Sequence, residues 1–407
     1  MSRHCVVQKY GGSSVASAEL ISRVAKRIAA TRRERDRVVV VVSAMGDSTD
    51  ELLALAQKVN PAAPSREMDQ LLATGETTTA PLMAMALERL GVRAISLTGL
   101  QAGIRTSSTH RSARIVDIVP QRIIDELEAG RVVVVAGFQG ATEDLDITTL
   151  GRGGSDTTAV ALAVELEAER CEIYTDVAGV YTADPRVEPR ARPIPQIAYA
   201  EMLEFAAVGA KVMHPRAVEI GETYEMPIVV RSTFGDGPGT LICKHPAMED
   251  RQKIRGIAHD SGVAKVILTR VPDRPGIAAT VFGAIGAAGI NVDIIVQNVS
   301  HDGLTDLSFT IAEEDLARAR PVLDEVARKV GATEIVADTA IATVSVVGTA
   351  FLGTPGMFAR IFRALSARQI NVEQITTSQI HVTVVIARDR VAEAVQALHA
   401  EFELEQD

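Results

Sequence analysis

Val38-Val39-Val40-Val41-Val42, running into Ser43-Ala44-Met45-Gly46-Asp47-Ser48-Thr49, is the stretch on which the fold turns. Five consecutive β-branched apolar residues without polar alternation read as a strand buried on both faces. Such strands belong to parallel sheets, because a sheet with one wet face alternates apolar and polar residues. Working outward, Cys5-Val6-Val7 predicts a strand ending at Lys9-Tyr10-Gly11-Gly12, and a helix follows from Ala18 to Arg33. Arg93 to Leu97, Val132 to Ala136 and Cys171 to Tyr174 predict further strands. Met68 to Leu90 and Ile118 to Ala129 predict helices between them. The alternation gives an α/β domain with a mainly parallel sheet between helices. Ligands of such sheets bind beyond the carboxyl ends of the strands, where the Gly- and Ser-rich segments fall.

The composition changes near Ser232. Phe234-Gly235-Asp236-Gly237-Pro238-Gly239 is turn chemistry, and Pro246 to Arg255 reads as a polar linker. An internal repeat follows. Pro275-Gly276 recurs as Pro355-Gly356, Phe282 as Phe362, and Ile290-Asn291-Val292 as Ile370-Asn371-Val372, all at an offset of 80 residues. Ala279, Ala284 and Ala287 recur as Ala359, Ala364 and Ala367 at the same offset. Each copy reads strand, Pro-Gly turn, amphipathic helix, strand, strand, so two small α+β units are expected.

The chain has 407 residues, 47% apolar and 23% charged, enough apolar surface to exclude disorder as its main state. Its net charge of −10 argues against nucleic acid as the main partner. Cys5, Cys171 and Cys243 are odd in number and far apart, which points to reduced thiols in a cytoplasmic protein. The start carries too short an apolar run for a signal peptide, and no run of 18 apolar residues predicts a membrane span. The scattered histidines and the absence of HExxH argue against a zinc site.

Four segments can carry chemistry. Lys9-Tyr10-Gly11-Gly12-Ser13-Ser14 follows a strand and precedes a helix; its N–H groups either cradle an anion or merely make a tight turn. It is not a Walker A loop. Thr148-Thr149-Leu150-Gly151-Arg152-Gly153-Gly154-Ser155-Asp156 leads into another helix. Arg152 there suits a carboxylate or phosphate, and Asp156 either caps the helix or orients a lysine or hydrated metal. The segment fails the dinucleotide fingerprint, since Asp156 stands where the last glycine belongs. Thr175 to Arg186 places two aspartates and a tyrosine after a strand, as a nucleotide loop or an ordinary surface loop. Gly209-Ala210-Lys211-Val212-Met213-His214-Pro215 sets Lys211 among small residues, either catalytic or snorkelling. His214 before Pro215 reads as structural.

Together these segments resemble aspartate kinases, members of the amino-acid kinase family fused to two ACT domains. Lys9-Tyr10-Gly11-Gly12-Ser13-Ser14 is similar to the family's opening motif. Ser43-Ala44-Met45-Gly46-Asp47, Gly137-Phe138-Gln139-Gly140, Gly151-Arg152-Gly153-Gly154-Ser155-Asp156 and Val180-Tyr181-Thr182-Ala183-Asp184-Pro185 follow in the family's order. The resemblance implies an amino-acid-kinase-type sheet over residues 1–246, and a linker with a possible edge strand over 247–262. Two ferredoxin-like ACT domains then occupy 263–338 and 339–407.

It also implies ATP-dependent phosphorylation of the L-aspartate β-carboxylate, with Mg²⁺ on the ATP phosphates. By resemblance Lys9 and Lys211 flank the phosphoryl group, the N–H groups of Gly11 and Gly12 hold its oxygens, and Asp156 orients the lysines. Ser43, Thr49, Glu76, Arg152, Gly153 and Gly154 form the aspartate pocket, Arg152 taking the α-carboxylate and Glu76 the α-ammonium. Lys9, Tyr10, Gly11, Gly12, Tyr174, Thr175, Val180, Tyr181, Asp184, Pro185 and Lys211 surround the nucleotide. Lysine, threonine or both are the implied effectors. Their implied site draws on Asp273, Ile290, Asn291, Val292 and Gln297 in the first ACT copy, and on Asn371, Val372, Ser378 and Gln379 in the second. The resemblance further implies a homo-oligomer, or an α2β2 assembly with an ACT-only subunit started internally near Met248. Thr77 and Ala178 depart from the family's commoner residues. The rival readings are another carboxylate kinase, such as one acting on N-acetylglutamate, and a non-catalytic amino-acid sensor. A dehydrogenase is weaker, for want of the dinucleotide fingerprint.

Overall fold

The computed structural model describes residues 5–35, 37–210, 212–246, 254–298, 302–351 and 354–406. It divides into two compact units. The first comprises residues 1–181, 193–207 and 211–251; the second comprises 182–192, 208–210 and 252–407.

The first unit is built on an eight-stranded sheet. Its order is Gln196–Ala198, Thr240–Cys243, Ile228–Ser232, Arg170–Thr175, Cys5–Tyr10, Arg37–Val42, Val132–Ala136, Ala94–Leu97. The six strands from Ile228–Ser232 to Ala94–Leu97 are parallel, and Thr240–Cys243 with the edge strand Gln196–Ala198 runs the other way. All five valines from Val38 to Val42 have no exposed surface, each worth roughly 2 kcal/mol of burial. Val38, Val40 and Val42 share one core with Ile21, Val24 and Ile28 of the helix Ala18–Glu34 and with Met83 and Leu87 of the helix Thr74–Arg89. Strand alternation turns Val39 and Val41 to the opposite face. There the helix Gly154–Glu165 is buried at every residue from Gly154 to Ala163. A strand this apolar is therefore covered on both sides.

Two element predictions are corrected. The helix expected over Met68 to Leu90 is two helices, Ser65–Leu72 and Thr74–Arg89, meeting at Ala73. Gln139 pins that junction, its Nε2 donating to the Ala73 carbonyl at 2.8 Å. The helix expected from Ile118 starts at Gln121, after Pro120, and Ile118 ends a strand. That strand belongs to a second, four-stranded sheet absent from the sequence reading: Ile115–Ile118, Ile104–Thr106, Gln139–Ala141, Ile147–Thr149. Strands of three or four residues are too short to display a period.

The second unit contains two four-stranded antiparallel sheets. One runs Ile295–Gln297, Leu304–Ala312, Val263–Pro272, Glu334–Asp338. The other runs Gly256–Asp260, Ile341–Val347, His381–Ala387, Gln374–Thr377. Gly276 and Gly356, after the repeated prolines, both take left-handed backbone (φ 95° and 89°) and start equivalent helices, Ile277–Ala287 and Met357–Ala367. Each copy also has a second helix, Leu316–Val330 or Val391–Glu401, which the repeat had not revealed. No helix among the described residues is long and apolar enough to cross a membrane.

Candidate active site

The parallel register brings several strand ends to one edge of the first unit. Tyr10 lies level with Val42 and Tyr174, Val42 with Ala136, and Thr175 with Ser232. The loops beginning at Gly11, Ser43, Gly137 and Asp176 therefore open side by side, as expected for a parallel sheet.

Lys9 reaches from the central strand to Asp156, in the first turn of the helix Gly154–Glu165. Lys9 Nζ lies 2.6 Å from Asp156 Oδ1, with only 13% and 11% of the side chains exposed. Gly11 follows, its absent Cβ leaving room 3.5 Å from Lys9 Nζ. The Gly11 N–H donates to the Tyr174 carbonyl at 3.3 Å, a long bond that an incoming phosphate oxygen would have to share or displace. A Cβ on Gly12 would stand 3.0 Å from the Ala44 carbonyl oxygen, so the loop after the valine strand packs directly on this glycine. The Gly46 N–H donates to the Gly12 carbonyl at 3.1 Å and closes that contact.

Glu76 enters the same corner from the first turn of Thr74–Arg89. Its Oε1 accepts from the Ala44 N–H at 3.1 Å. Oε2 is buried with no hydrogen-bond partner among the described residues. Gly75 allows this approach, since a Cβ there would fall 2.8 Å from the Ala44 Cβ. Burial pushes the Glu76 carboxyl up to about 7, against the opposing pull of the Ala44 N–H and of Lys9. Ser43 and Thr49 flank the loop, both half-buried.

The segment from Gly151 to Asp156 is fixed by close approaches. Gly153 has φ 64°, and a Cβ on it would lie 2.1 Å from the His214 Cβ. His214 caps the helix Pro215–Thr223, its Nδ1 accepting from the Arg216 N–H at 3.3 Å, which is the structural role expected of it. Gly154 takes the Phe138 ring against it, at 2.8 Å from its would-be Cβ. Phe138 itself has φ 68°, a costly backbone for an aromatic residue. Its N–H donates to Thr158 Oγ1 at 3.1 Å. Arg152 is exposed at the head of the helix.

The nucleotide candidates divide. Tyr10 and Tyr174 have 0% and 2% of their surface exposed and stack at 4.7 Å. Tyr174 Oη donates to Glu172 Oε2 at 3.0 Å. Their rings belong to the core beside Ile28, so only their main chain is available to a ligand. The cause is strand alternation, which turns Lys9 and Tyr10 to opposite faces. Thr175 Oγ1 donates to Asp176 at 3.0 Å. Val180 is buried, and its N–H donates to Thr240 Oγ1 at 2.8 Å. Tyr181 bridges to Pro193. Asp184 and Pro185 fall in the second unit. The Arg186 guanidinium grips Asp184 Oδ2 at 2.7 Å and holds its carboxyl below the usual range. Lys211 lies outside the described residues, as does Met248.

Among the effector candidates, Asp273, Asn291, Gln297, Asn371, Ser378 and Gln379 are exposed. Ile290 is not; its side chain is in the core of the first copy, with Val292 packed against that core. Val372 packs on the second core in the same way. Ser378 Oγ is engaged in its own turn, accepting from the Ile380 and His381 N–H groups.

The sequence reading missed Asp69, which has no exposed surface and bonds three groups from two distant segments. A signal was present: Asp69 sits on the apolar face of its helix between Met68 and Leu72. It also missed Arg216, whose guanidinium donates to the Leu150 and Ala113 carbonyls at 2.6 and 3.0 Å.

Residues 4–232 match the amino acid kinase family, and residues 265–329 and 344–402 each match an ACT domain. An aspartokinase of Mycolicibacterium smegmatis is 49% identical over 405 residues, covering 98% of this chain and 96% of the relative. An aspartate kinase of Stutzerimonas stutzeri is 48% identical over 98% of this chain and 97% of its own length. Among solved structures, E. coli aspartokinase III in complex with aspartate and ADP is 25% identical, with a TM-score of 0.82 over 98% of this chain and 99% of that one. The same enzyme with lysine and aspartate, in a T-state, gives 0.77. With the kinase motifs gathered at one sheet edge and the repeat resolved into paired α+β units, the chain belongs to the amino acid kinase family, in its aspartokinase branch.

Proposed function

We propose that this chain transfers the γ-phosphoryl group of ATP to the β-carboxylate of L-aspartate. The products are ADP and 4-phospho-L-aspartate, at the head of lysine, threonine and methionine biosynthesis. A carboxylate oxygen forms the new bond to phosphorus as the bond to the ADP oxygen breaks. No proton has to move, so positioning and charge stabilisation carry the catalysis. Lys9 supplies a cation at the transferring group, held in place by Asp156 at 2.6 Å. Lys211 is assigned the opposite side. The Gly11-Gly12 turn receives phosphate oxygens, Arg152 the α-carboxylate, and Ser43, Thr49, Gly153 and Gly154 the rest of the acceptor. The Tyr10 and Tyr174 main chain, with Thr175, Val180, Tyr181, Asp184 and Pro185, is assigned to the nucleotide.

No group of three His, Cys, Asp or Glu side chains among the described residues is arranged to hold a metal ion. Mg²⁺ would ride on the ATP phosphates with mostly water ligands, and Asp156, beside Lys9, is an acid on hand at the proposed phosphoryl site. When bound it would supply neutralisation of the phosphate charge.

The observation that carries this reading is Glu76. A buried carboxylate with one oxygen unpartnered among the described residues calls for a cation, and a free α-ammonium supplies it. That favours aspartate over an N-acetylated acceptor, whose amide bears no charge. Lysine or threonine binding at the ACT domains is proposed as feedback control. The enzyme is proposed to work as an oligomer in the cytoplasm.

The test is ATP turnover with Mg²⁺ and aspartate, glutamate or N-acetylglutamate, trapping the acyl phosphate as its hydroxamate, with and without lysine and threonine. Hydroxamate from aspartate alone supports the reading. Turnover of N-acetylglutamate instead would replace it, and amino-acid binding without any turnover would make the chain a sensor.

A further inference from the structure

Asp69 is fully buried on the helix Ser65–Leu72, and the mechanism above makes no use of it. The Arg111 N–H donates to both its oxygens, at 3.1 and 2.9 Å. Thr149 Oγ1 donates to Oδ1 at 2.6 Å, and His110 Nδ1, as the protonated nitrogen, donates to Oδ2 at 2.9 Å. One carboxylate thus gathers two segments, 110–111 and 149, that are distant in sequence.

The segments lead somewhere specific. Thr149 stands just before Gly151-Arg152, and the Ala113 N–H donates to the Thr149 carbonyl at 3.0 Å. Arg216 locks the far side of the same pair of segments through the Leu150 and Ala113 carbonyls. Gly151, at φ 79°, lets the Arg111 carbonyl within 3.0 Å of where a Cβ would be. On the other side, the helix carrying Asp69 passes through Ala73 directly into the first turn that holds Glu76. Asp69 therefore ties the element before Glu76 to the element before Arg152.

We infer that Asp69 is a positioning residue that sets the separation between Glu76 and Arg152, and with it the fit of the acceptor's ammonium and α-carboxylate groups. The inference rests on the proposed roles of those two residues. It assigns Asp69 no contact with substrate. A carboxylate is required because all its neighbours are donors; an amide would turn an N–H toward one of them.

The test uses the full chain and steady-state kinetics for both substrates. D69N is expected to raise KM for aspartate about tenfold to a hundredfold, with KM for ATP within about twofold of wild type, as one or two lost buried hydrogen bonds would allow. T149V, which removes one donor without changing volume, is expected to raise KM for aspartate about tenfold, and T149S to restore it. The Thr149 pair decides the matter if D69N does not fold. A folded T149V with unaltered KM for aspartate overturns the inference, as does an equal loss in kcat and in both KM values. Failure of the wild-type enzyme to make aspartyl hydroxamate would instead remove the functional reading beneath it.

Discussion

Lys9 Nζ and Asp156 Oδ1 stand 2.6 Å apart, the first on the central strand and the second in the opening turn of the most deeply buried helix. Asp156 Oδ1 has no aligned hydrogen bond among the described residues, so the pairing with Lys9 is chiefly one of charge. A cation held this way is preorganised and can serve a developing phosphoryl charge without rearrangement. Lys9→Ala is expected to lower kcat by about two to four orders of magnitude while the protein stays folded. Turnover with thermal unfolding on the same sample checks this; a folded variant with near-normal turnover removes the role.

Glu76 gives a pH dependence with a definite sign. Its folded value of about 7 lies above the ordinary 4.5, because burial disfavours the anion. In the empty enzyme its contribution to stability is complete below pH 4.5 and is lost as pH rises through 7. Glu76→Gln should therefore raise the melting temperature of the empty enzyme at pH 8, by up to about 3 kcal/mol in stability, and do little at pH 4. Binding of the substrate ammonium needs the anion, so kcat/KM for aspartate should rise with pH through about 7 in the wild type. A flat profile would assign the ammonium to another group.

Asn291 is exposed directly after Ile290, which is anchored in the core of the first ACT copy. Asn291→Ala is expected to relieve inhibition by lysine or threonine without changing uninhibited turnover. Inhibition curves for both amino acids measure this, and unchanged curves exclude Asn291 from the effector site.

His399 has no exposed surface, and its Nε2 lies 3.0 Å from Thr182 Oγ1. Burial lowers its pKa below 6.5, the nearby Arg190 and Arg192 also opposing protonation and Glu188 and Glu405 favouring it. A lowered base contributes stability above pH 6.5 that is lost as pH falls through the folded value. The second unit should thus loosen on acidification. His399→Leu should flatten that loss while costing about 1–3 kcal/mol at pH 8, since the Thr182 hydroxyl keeps the Arg192 N–H but loses its imidazole partner. Thermal melts from pH 5 to 8 on both proteins read the difference.

The parallel sheet was legible because Val38 to Val42 leave no alternative to burial on both faces. The ACT pair was legible because Pro-Gly before a helix imposes the same left-handed turn at Gly276 and Gly356. Motif resemblance singles out Lys9, Asp156 and Glu76, and the structure brings Lys9 and Asp156 into contact. What escaped has physical reasons. Asp69 acts through partners 41 and 80 residues away, a relation no local pattern records. The short strands from Ile104 to Thr149 take their structure from one another. Tyr10 and Tyr174 were placed at the nucleotide by their neighbours in sequence, but strand alternation turns a side chain away from the residue before it.

The two units are not consecutive lengths of chain. The chain leaves the first at Tyr181, gives residues 182–192 to the second, and returns at Pro193. Ala183, Val187 and Ala191 pack on the apolar core that contains Ile257 and Leu398, and the Ile257 N–H donates to the Thr182 carbonyl at 2.7 Å. Modularity is therefore lost in both directions. A fragment ending at residue 246 would carry Ala183, Val187 and Ala191 stripped of their cover. A polypeptide starting near Met248 would lack the eleven residues, 182–192, whose Ala183, Val187 and Ala191 help to cover this core.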